Sequence, residues 1–452
     1  MGHDESISYR YEPKNIKLLH GALLHSALKD RVVLAYSGGL DTSIAIKWLE
    51  EKYDLSVVTV TVDVGQQEDL ELIATRSRDI GALKHYSIDA KEEFAKSCIF
   101  PAIKANALYE GKYPLCTAIA RPLIATKLVE IAKAEGAKAV AHGCTGKGND
   151  QVRFDVTIRA LNPKLKVIAP VREWNLSRDI SLEYARKHGI PVGPKKSLYS
   201  IDQNLWGRSV ESGPLEREDQ EPPNDTLSWT VPIENVPRDP TYIELGFDGG
   251  TPKSIDGKNL DPVTLISRIN KLAGQYGVGA LDHIEDRVIG IKSREVYECP
   301  AAITIIEAHR DLEKTVLTKH QLEFKQSVER EWTWLVYAGL WVDPLRIDLE
   351  AFIDSTQEPV EGVVKLKFHK GTMKVVGRSS PNSLYELPLA TYDKTSTFDQ
   401  SSALGFIELW SLQSRSAYSK RIKVRKTQIY KPQLKQRSRS RRLANRNSGQ
   451  RR

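Results

Sequence analysis

Between residues 31 and about 190, short β-type runs alternate with helical stripes, and that alternation confines the fold to few options. Arg31-Val-Val-Leu-Ala-Tyr36 is a short apolar run that stops at a glycine pair, after which Ile44, Ala45, Trp48 and Leu49 recur at helical spacing. Leu55–Val62 is β-branched and bounded by turn residues, and Leu83–Ile88 reads as a third strand. Ile119, Ala120, Leu123, Ile124, Leu128, Ile131 and Ala132 trace one helical stripe, while 137–141 and 167–171 are further short apolar runs. Strands alternating with helices predict βαβ units, and hence an α/β fold whose N-terminal parallel sheet carries helices on both faces. In such sheets ligands sit at the carboxyl ends of the strands.

From about Pro191 the pattern changes. Glu211 to Pro240 is rich in Pro, Glu and Asp and reads as a loop or surface excursion. Helical stretches run from about Leu260 to Tyr276 and, as one longer element, from about Ala301 to Leu340. Gly362–Phe368 and Lys374–Gly377 read as a hairpin. This half is α+β and forms a separate domain, as a chain of 452 residues allows.

The net charge of +8 belongs to one end of the chain. Fifteen Lys and Arg and no acidic residue fall between Gln413 and Arg452, leaving 51 basic against 58 acidic residues elsewhere, a balance of −7. The body is therefore mildly acidic, which argues against a nucleic-acid-binding body and leaves only the tail for such contact. After Trp410 the chain is basic and Ser-rich, a composition that predicts disorder. Cys98, Cys116, Cys144 and Cys299 lie far apart without a CxxC pair, so neither a disulfide framework nor a metal site follows, and a reducing cytoplasm is expected. No apolar run approaches a membrane span. The first thirty residues contain Asp4, Glu5 and Glu12, unlike a transit or secretory peptide, and read as a disordered extension. Met1-Gly2 with Ser6 formally matches a myristoylation pattern of low specificity.

Two segments carry chemistry. Ser37-Gly38-Gly39-Leu40-Asp41-Thr42-Ser43 follows the first strand and opens the first helix. Adjacent glycines let backbone turn sharply and approach a ligand, and amides at a helix start suit a phosphate. No Lys follows the glycines, so this is not a P-loop; a plain capped turn would read similarly. The second segment, His142-Gly-Cys-Thr-Gly-Lys-Gly-Asn-Asp-Gln-Val-Arg153-Phe154, follows the fourth β-type run. Asn149, Asp150 and Arg153 place an amide, a carboxylate and a guanidinium within five positions, a mixture suited to an amino acid: Arg for its carboxylate, Asp for its ammonium. A solvated polar loop is the alternative.

The first segment resembles the pyrophosphate-binding loop of the N-type ATP pyrophosphatases, whose sheet is adenine-nucleotide α-hydrolase-like. The second resembles the argininosuccinate synthase family almost letter for letter. Further matches follow in order at Ala107–Pro114, Ala120-Arg121-Pro122, Ile168–Pro170, Gly189–Pro191, Ile289–Arg294 with Tyr297, and Ala308–Leu312. They span about Arg31 to Trp410.

The resemblance implies ligation of citrulline to aspartate through a citrulline-adenylate, with AMP and pyrophosphate released. ATP with Mg²⁺ would enter as substrate, with no prosthetic group. It implies a nucleotide-binding domain at 31–190 and a synthetase and oligomerisation domain at 191–410, between the extension 1–30 and the tail 411–452. It also implies a cytoplasmic homotetramer. ATP would be held by Ala35, Tyr36, Ser37, Gly38, Gly39, Leu40, Asp41, Thr42, Ser43, Val62 and Gly143. Thr145, Asn149 and Asp150 would take aspartate. Tyr113, Asn149, Arg153, Ser200, Ser209, Glu285 and Tyr297 would take citrulline. Asp150, Arg153 and Asp41 would serve catalysis, Asp41 either assisting Mg²⁺ or capping the helix. Ala118 stands where some members place a serine against citrulline, so that contact is missing, backbone-mediated or taken by Thr117. Asn382 and Leu387-Pro388 depart from the family's late segment, and the basic tail replaces its ending. A tRNA-modifying pyrophosphatase would share the first loop but lacks the second. A binding protein without turnover would keep both.

Overall fold

The computed structural model describes residues 29–174, 176–192 and 198–423. Most of the amino-terminal extension, with its Met1-Gly2 and Ser6 pattern, and the tail beyond 423 lie outside the described residues. The described chain forms two compact units, one ending at Leu384 and the other beginning at Tyr385.

The first unit starts with five parallel strands: β1 (Arg31–Ala35), β2 (Ser56–Asp63), β3 (Lys84–Asp89), β4 (Ala139–Ala141) and β5 (Lys166–Ile168). Their order is β3-β2-β1-β4-β5. Between them run α1 (Leu40–Tyr53), α2 (Leu70–Ile80), α3 (Cys116–Ala134) and α4 (Asp150–Leu161), and α5 (Arg178–Lys187) follows. Val32, Leu34 and Val57 pack with Ile44, Trp48 and Leu49 of α1, Ile73 of α2 and Ala185 of α5. The alternate residues Val33, Val58 and Val140 pack with Ile119 and Leu123 of α3 and Phe154 of α4. The central strands β1, β2 and β4 thus bury both faces, which is why their interior positions carry only apolar or threonine side chains.

The strand order reverses between β1 and β4, and the crevice outside their carboxyl ends is where a doubly wound sheet binds ligands. Both Gly-rich segments begin there.

A four-stranded antiparallel sheet, ordered β11-β12-β7-β6, covers this crevice region. It is built from β6 (Ser200–Asn204), β7 (Gly207–Glu211), β11 (Ala280–Asp286) and β12 (Lys292–Glu298). Leu205 N–H donates to Val64 O at 2.9 Å, joining the β6–β7 turn to the loop after β2. A third sheet, β10-β9-β8-β13-β14, comprises β8 (Thr241–Asp248), β9 (Thr251–Ile255), β10 (Lys258–Asn259), β13 (Gly362–His369) and β14 (Thr372–Ser379). The last two form the expected hairpin. Residues 212–240 hold only short 3₁₀ turns, as their Pro and acidic content indicates.

The longer helices of the rest of this unit are α6 (Pro262–Gln275), α7 (Pro300–Val316), α8 (Lys319–Tyr337) and α9 (Pro344–Gln357). The single long helix expected over Ala301–Leu340 is two. Leu317 is extended, and Thr318 opens α8 with a reciprocal capping box to Gln321. Those two side-chain bonds satisfy the amides that a break exposes.

In the second unit a helix, α10, covers residues 402–423. The disorder expected after Trp410 therefore does not begin there: residues 411–423 are helical. No Gly or Pro interrupts residues 406–423, and Arg415 pairs with Glu408 at 2.7 Å. The expected boundary at 190 falls inside the first unit, and that at 410 inside α10.

Candidate functional site

The first loop is shaped by geometry only glycine accepts. Gly38 has φ +72°, and a Cβ there would lie 3.0 Å from Ile73 Cγ1. Arg76 donates to Gly38 O at 2.6 Å and pins the turn. Gly39 is the N-cap of α1 and no side chain caps it. The first amides therefore remain available to an anion, with the positive end of a 14-residue helix dipole behind them. Ser37 Oγ and Thr42 Oγ1 lie 3.2 Å apart at the exposed rim, while Tyr36 OH and Ser43 Oγ meet at 3.1 Å beneath it. Asp41 does not cap α1. It sits exposed in the first turn, where its charge suits the dipole, and accepts from Ser181 Oγ at 3.2 Å. Ala35 ends β1, Leu40 opens α1, and Val62 is buried near the end of β2.

The second loop leaves β4 beside the first. A Cβ on Gly143 would lie 3.0 Å from Thr42 Cγ2, so the two loops touch. His142 anchors the start. Its Nδ1 accepts from Cys144 N–H at 3.3 Å, which assigns the ring proton to Nε2, 2.8 Å from Asp155 Oδ1. Burial would raise the Asp155 carboxyl, but His142 and Arg172 hold it below its usual range. Thr145 is exposed, and the carbonyls of Gly146 and Lys147 accept from Gln151 (2.5 Å) and Arg287 (3.1 Å).

Asp150, Arg153 and Arg121 form one ionic chain. Asp150 Oδ2 accepts from Arg121 Nε at 2.8 Å and its Oδ1 from Arg153 Nη1 at 2.9 Å, while Arg121 Nη2 also donates to Asp202. Burial pushes the Asp150 carboxyl up, yet the two guanidinium groups outweigh it and hold it below the ordinary range. For Asp202 burial prevails over Arg121, and its carboxyl is raised. Arg153 is fully buried, and its Nε and Nη2 both donate to Tyr337 O, at 3.2 and 3.0 Å. Three of its five N–H groups thus hold protein atoms, and two remain for a ligand.

The second sheet supplies the other wall through strand parity. Pairings of Asp202 with Ser209, Ser209 with Tyr297, His283 with Glu295 and Glu285 with Ser293 place these side chains on one face. Ser200, opposite Glu211, belongs to the same face but lies at its exposed edge. Glu285 is buried and accepts from Tyr297 OH (2.6 Å), Tyr337 OH (2.7 Å) and Asn149 Nδ2 (3.5 Å). Tyr113 stacks on Tyr297 with ring centroids 4.2 Å apart. Its hydroxyl meets Thr117 Oγ1 at 2.7 Å, while Ala118 is buried in the core. Arg287 donates to Glu211 (2.5 Å) and to Glu295 (3.4 Å). Burial first, then the charges of Glu285 and Glu211, push the Glu295 carboxyl up to about 8.

Sequence reasoning singled out neither Asp202, Glu211, Arg287, Glu295 nor Tyr337, and quoted Arg121 only as part of a motif. The period-two placement of polar residues along β7, β11 and β12 was the available signal; it needed the strand register to be read. The wall made of the two loops and the sheet combines free amides for an anion, two guanidinium groups and several carboxylates. That combination suits a nucleotide beside ligands that carry both ammonium and carboxylate groups. Among the described residues no three His, Cys, Asp or Glu side chains group as a metal site. No described helix is long and apolar enough to cross a membrane.

Comparisons with known proteins agree along most of the chain. A family model described as the arginosuccinate synthase N-terminal HUP domain matches residues 31–191, and one described as the arginosuccinate synthase C-terminal domain matches 199–417. A Pyrococcus furiosus protein named argininosuccinate synthase is 58% identical over 389 residues, covering 86% of this chain and 94% of the relative. Proteins of that name from Dehalococcoides mccartyi and Oceanobacillus iheyensis are each 54% identical, over 86% of this chain and 96% and 93% of their own lengths.

Proposed function

Since the chain belongs to the argininosuccinate synthase family and is a ligase, we propose that it joins citrulline to aspartate at the expense of ATP, within arginine biosynthesis. The finer mechanism is a citrulline-adenylate formed with release of pyrophosphate, followed by displacement of AMP by the aspartate amine. The observation that carries this reading is the meeting of a phosphate-type loop after β1 and an amino-acid-type loop after β4 at the reversal of strand order.

In this reading Mg²⁺ arrives with ATP as part of the substrate. Amides of residues 38–42, with Ser37 and Thr42, receive the charge that grows on the leaving pyrophosphate. The adenine lies near Val62 and Gly143. Citrulline occupies the ground between Tyr113, Asn149, Arg153, Ser209, Glu285 and Tyr297, with Ser200 at the edge. Aspartate meets Thr145, Asn149 and Asp150. Asp150, held ionised by Arg121 and Arg153, accepts from the aspartate ammonium with its remaining lone pairs and orients that nitrogen. Arg153 offers two N–H groups to a carboxylate while bracing α4 against the end of α8. The work is positioning and charge stabilisation rather than proton shuttling by one base.

We place the enzyme in the cytoplasm as a homotetramer. Supporting the assembly is α10, on which Leu404, Phe406, Ile407, Leu409, Trp410 and Leu412 are all exposed, more apolar surface than one monomeric helix ordinarily presents to water. Light scattering on the full chain, and on a chain ending at residue 400, tests this; a monomeric full chain would refute it.

Incubation with ATP, Mg²⁺, citrulline and aspartate tests the activity. Pyrophosphate and AMP are expected only with both amino acids, in step with argininosuccinate. ADP and phosphate as products would overturn the mechanism.

A further inference from the structure

The second loop is held weakly from within. Among the described residues, the carbonyls of Gly146 and Lys147 have one side-chain donor each, Gln151 and Arg287. Gln151 belongs to α4, the helix that the loop itself opens, and its Oε1 accepts from Arg172 Nη1 at 2.9 Å, so neither partner comes from the second sheet. Arg287 comes from the β11–β12 turn, 140 residues away in sequence.

Its other N–H groups reach the sheet face that would cradle citrulline. Nη2 donates to Glu211 Oε2 on β7 at 2.5 Å and to Glu295 Oε1 on β12 at 3.4 Å, and Nε donates to Ser293 Oγ at 2.9 Å. Glu211 lies two residues from Ser209, and Glu295 two residues from Tyr297, each pair on one side of its strand. The neighbouring Val288 N–H donates to Asn149 Oδ1 at 2.9 Å, while Asn149 Nδ2 donates towards Glu285. The turn is itself braced, because Tyr109 OH donates to Asp286 O at 2.9 Å. A planar guanidinium has the donor layout to bridge a backbone carbonyl on one side and carboxylates on the other; an ammonium does not.

We propose that Arg287 is a positioning residue that ties the aspartate loop to the acidic face of the citrulline subsite, so that capture of aspartate depends on that face. It acts through Lys147, whose carbonyl it holds and which belongs to neither the nucleotide nor the citrulline set. The proposal rests on the reading of the site given above and extends it to a residue outside the expected ligand set. Formation of the adenylate uses the first loop and the citrulline residues, so it should tolerate loss of the tie. Attack by aspartate requires the second loop in place, so it should not.

Two assays separate the halves. Citrulline-dependent exchange between pyrophosphate and ATP reads adenylate formation without aspartate, and argininosuccinate formation reads the whole reaction. In R287Q the exchange is expected within about threefold of the unaltered protein, with the KM for aspartate raised at least about tenfold. R287K keeps the charge beside Glu211 but loses the fork; its exchange should be normal and its aspartate KM still raised. E211Q should raise the aspartate KM as well, and the double variant E211Q/R287Q should be no worse than R287Q alone, the signature of one shared tie. Exchange and synthesis falling together in R287Q and R287K would mean a merely structural role, and an unchanged aspartate KM would mean no role; either overturns the proposal. Absence of citrulline-dependent exchange in the unaltered protein would overturn the underlying reading as well, an outcome distinct from failure of the tie alone.

Discussion

Replacing Arg121 by Met tests the electrostatic account of the site most directly. Arg121 joins α3 to the first turn of α4 through Asp150 and to β6 through Asp202. Methionine keeps much of the stem and removes only the guanidinium. Removing one partner of a fully buried ion pair costs about 3–5 kcal/mol, because a charge is left without compensation. Here Asp150 keeps Arg153, and the Asp202 side chain is 35% exposed, so water takes up part of the loss. A penalty of about 2–3 kcal/mol near neutral pH follows, between the buried and exposed limits.

Its pH dependence has a definite sign. In the unaltered protein Asp150 titrates below its unfolded value, so it contributes stability at neutral pH that is lost as pH falls through the folded value. Asp202 titrates above its unfolded value, and its cost is relieved on acidification. Without Arg121 both carboxyls rise, so the folded variant takes up protons at higher pH than the folded parent. The difference in unfolding free energy between variant and parent should therefore be largest near neutral pH and shrink as pH falls from about 7 to about 4, into the carboxylate range. Urea unfolding at several pH values measures it. A difference below about 1 kcal/mol at pH 7.5, or one that is flat across that range, would refute the reasoning.

Other perturbations report on separate parts of the argument. Glu298 is fully buried and accepts from the amides of Ser228, Trp229 and Thr230, from Thr230 Oγ1 and from Arg208. Glu298→Gln should cost about 3 kcal/mol or more in denaturant unfolding, since Arg208 loses its partner in the core. Gly38→Ala meets both a left-handed backbone and Ile73 at 3.0 Å, so it should cost about 1–2 kcal/mol and raise the KM for ATP well above any effect on the amino acids. Cys98, Cys116 and Cys299 are buried, and burial raises the Cys144 thiol far above its usual range. Iodoacetamide at pH 8 should thus modify the folded protein far more slowly than the urea-unfolded chain; rapid native labelling of Cys144 would contradict that placement.

Much of the nucleotide-binding half was legible in the sequence because its signals are local. Residues 32–35 and 57–62 carry only apolar or threonine side chains since both faces of the sheet are covered there, and Gly38-Gly39 follows the first of these runs where a helix must begin. The break between α7 and α8 was equally local, in Thr318 and Gln321, but the apolar periodicity on either side concealed it. The reading of residues 411–423 as disordered followed composition, whereas helical structure there needs only an unbroken run of permissive residues.

What the residues determined alone is the alternation that gives a parallel sheet, the two Gly-rich loops at its carboxyl edge, and their family resemblance. Tertiary structure alone decided the electrostatic state of the site. Asp150 and Arg153 read as ligand-facing groups, yet Asp150 is engaged by Arg121 and Arg153, and Arg153 by Asp150 and Tyr337 O. Glu211, Glu295 and Arg287 meet only because β7 and β12 pair in a register that puts Ser209 opposite Tyr297. A charge has a short reach and a strong dependence on burial, so its role is set by neighbours, such as Arg121 and Asp150 or Arg287 and Glu211, that lie far apart in sequence and that folding brings into contact.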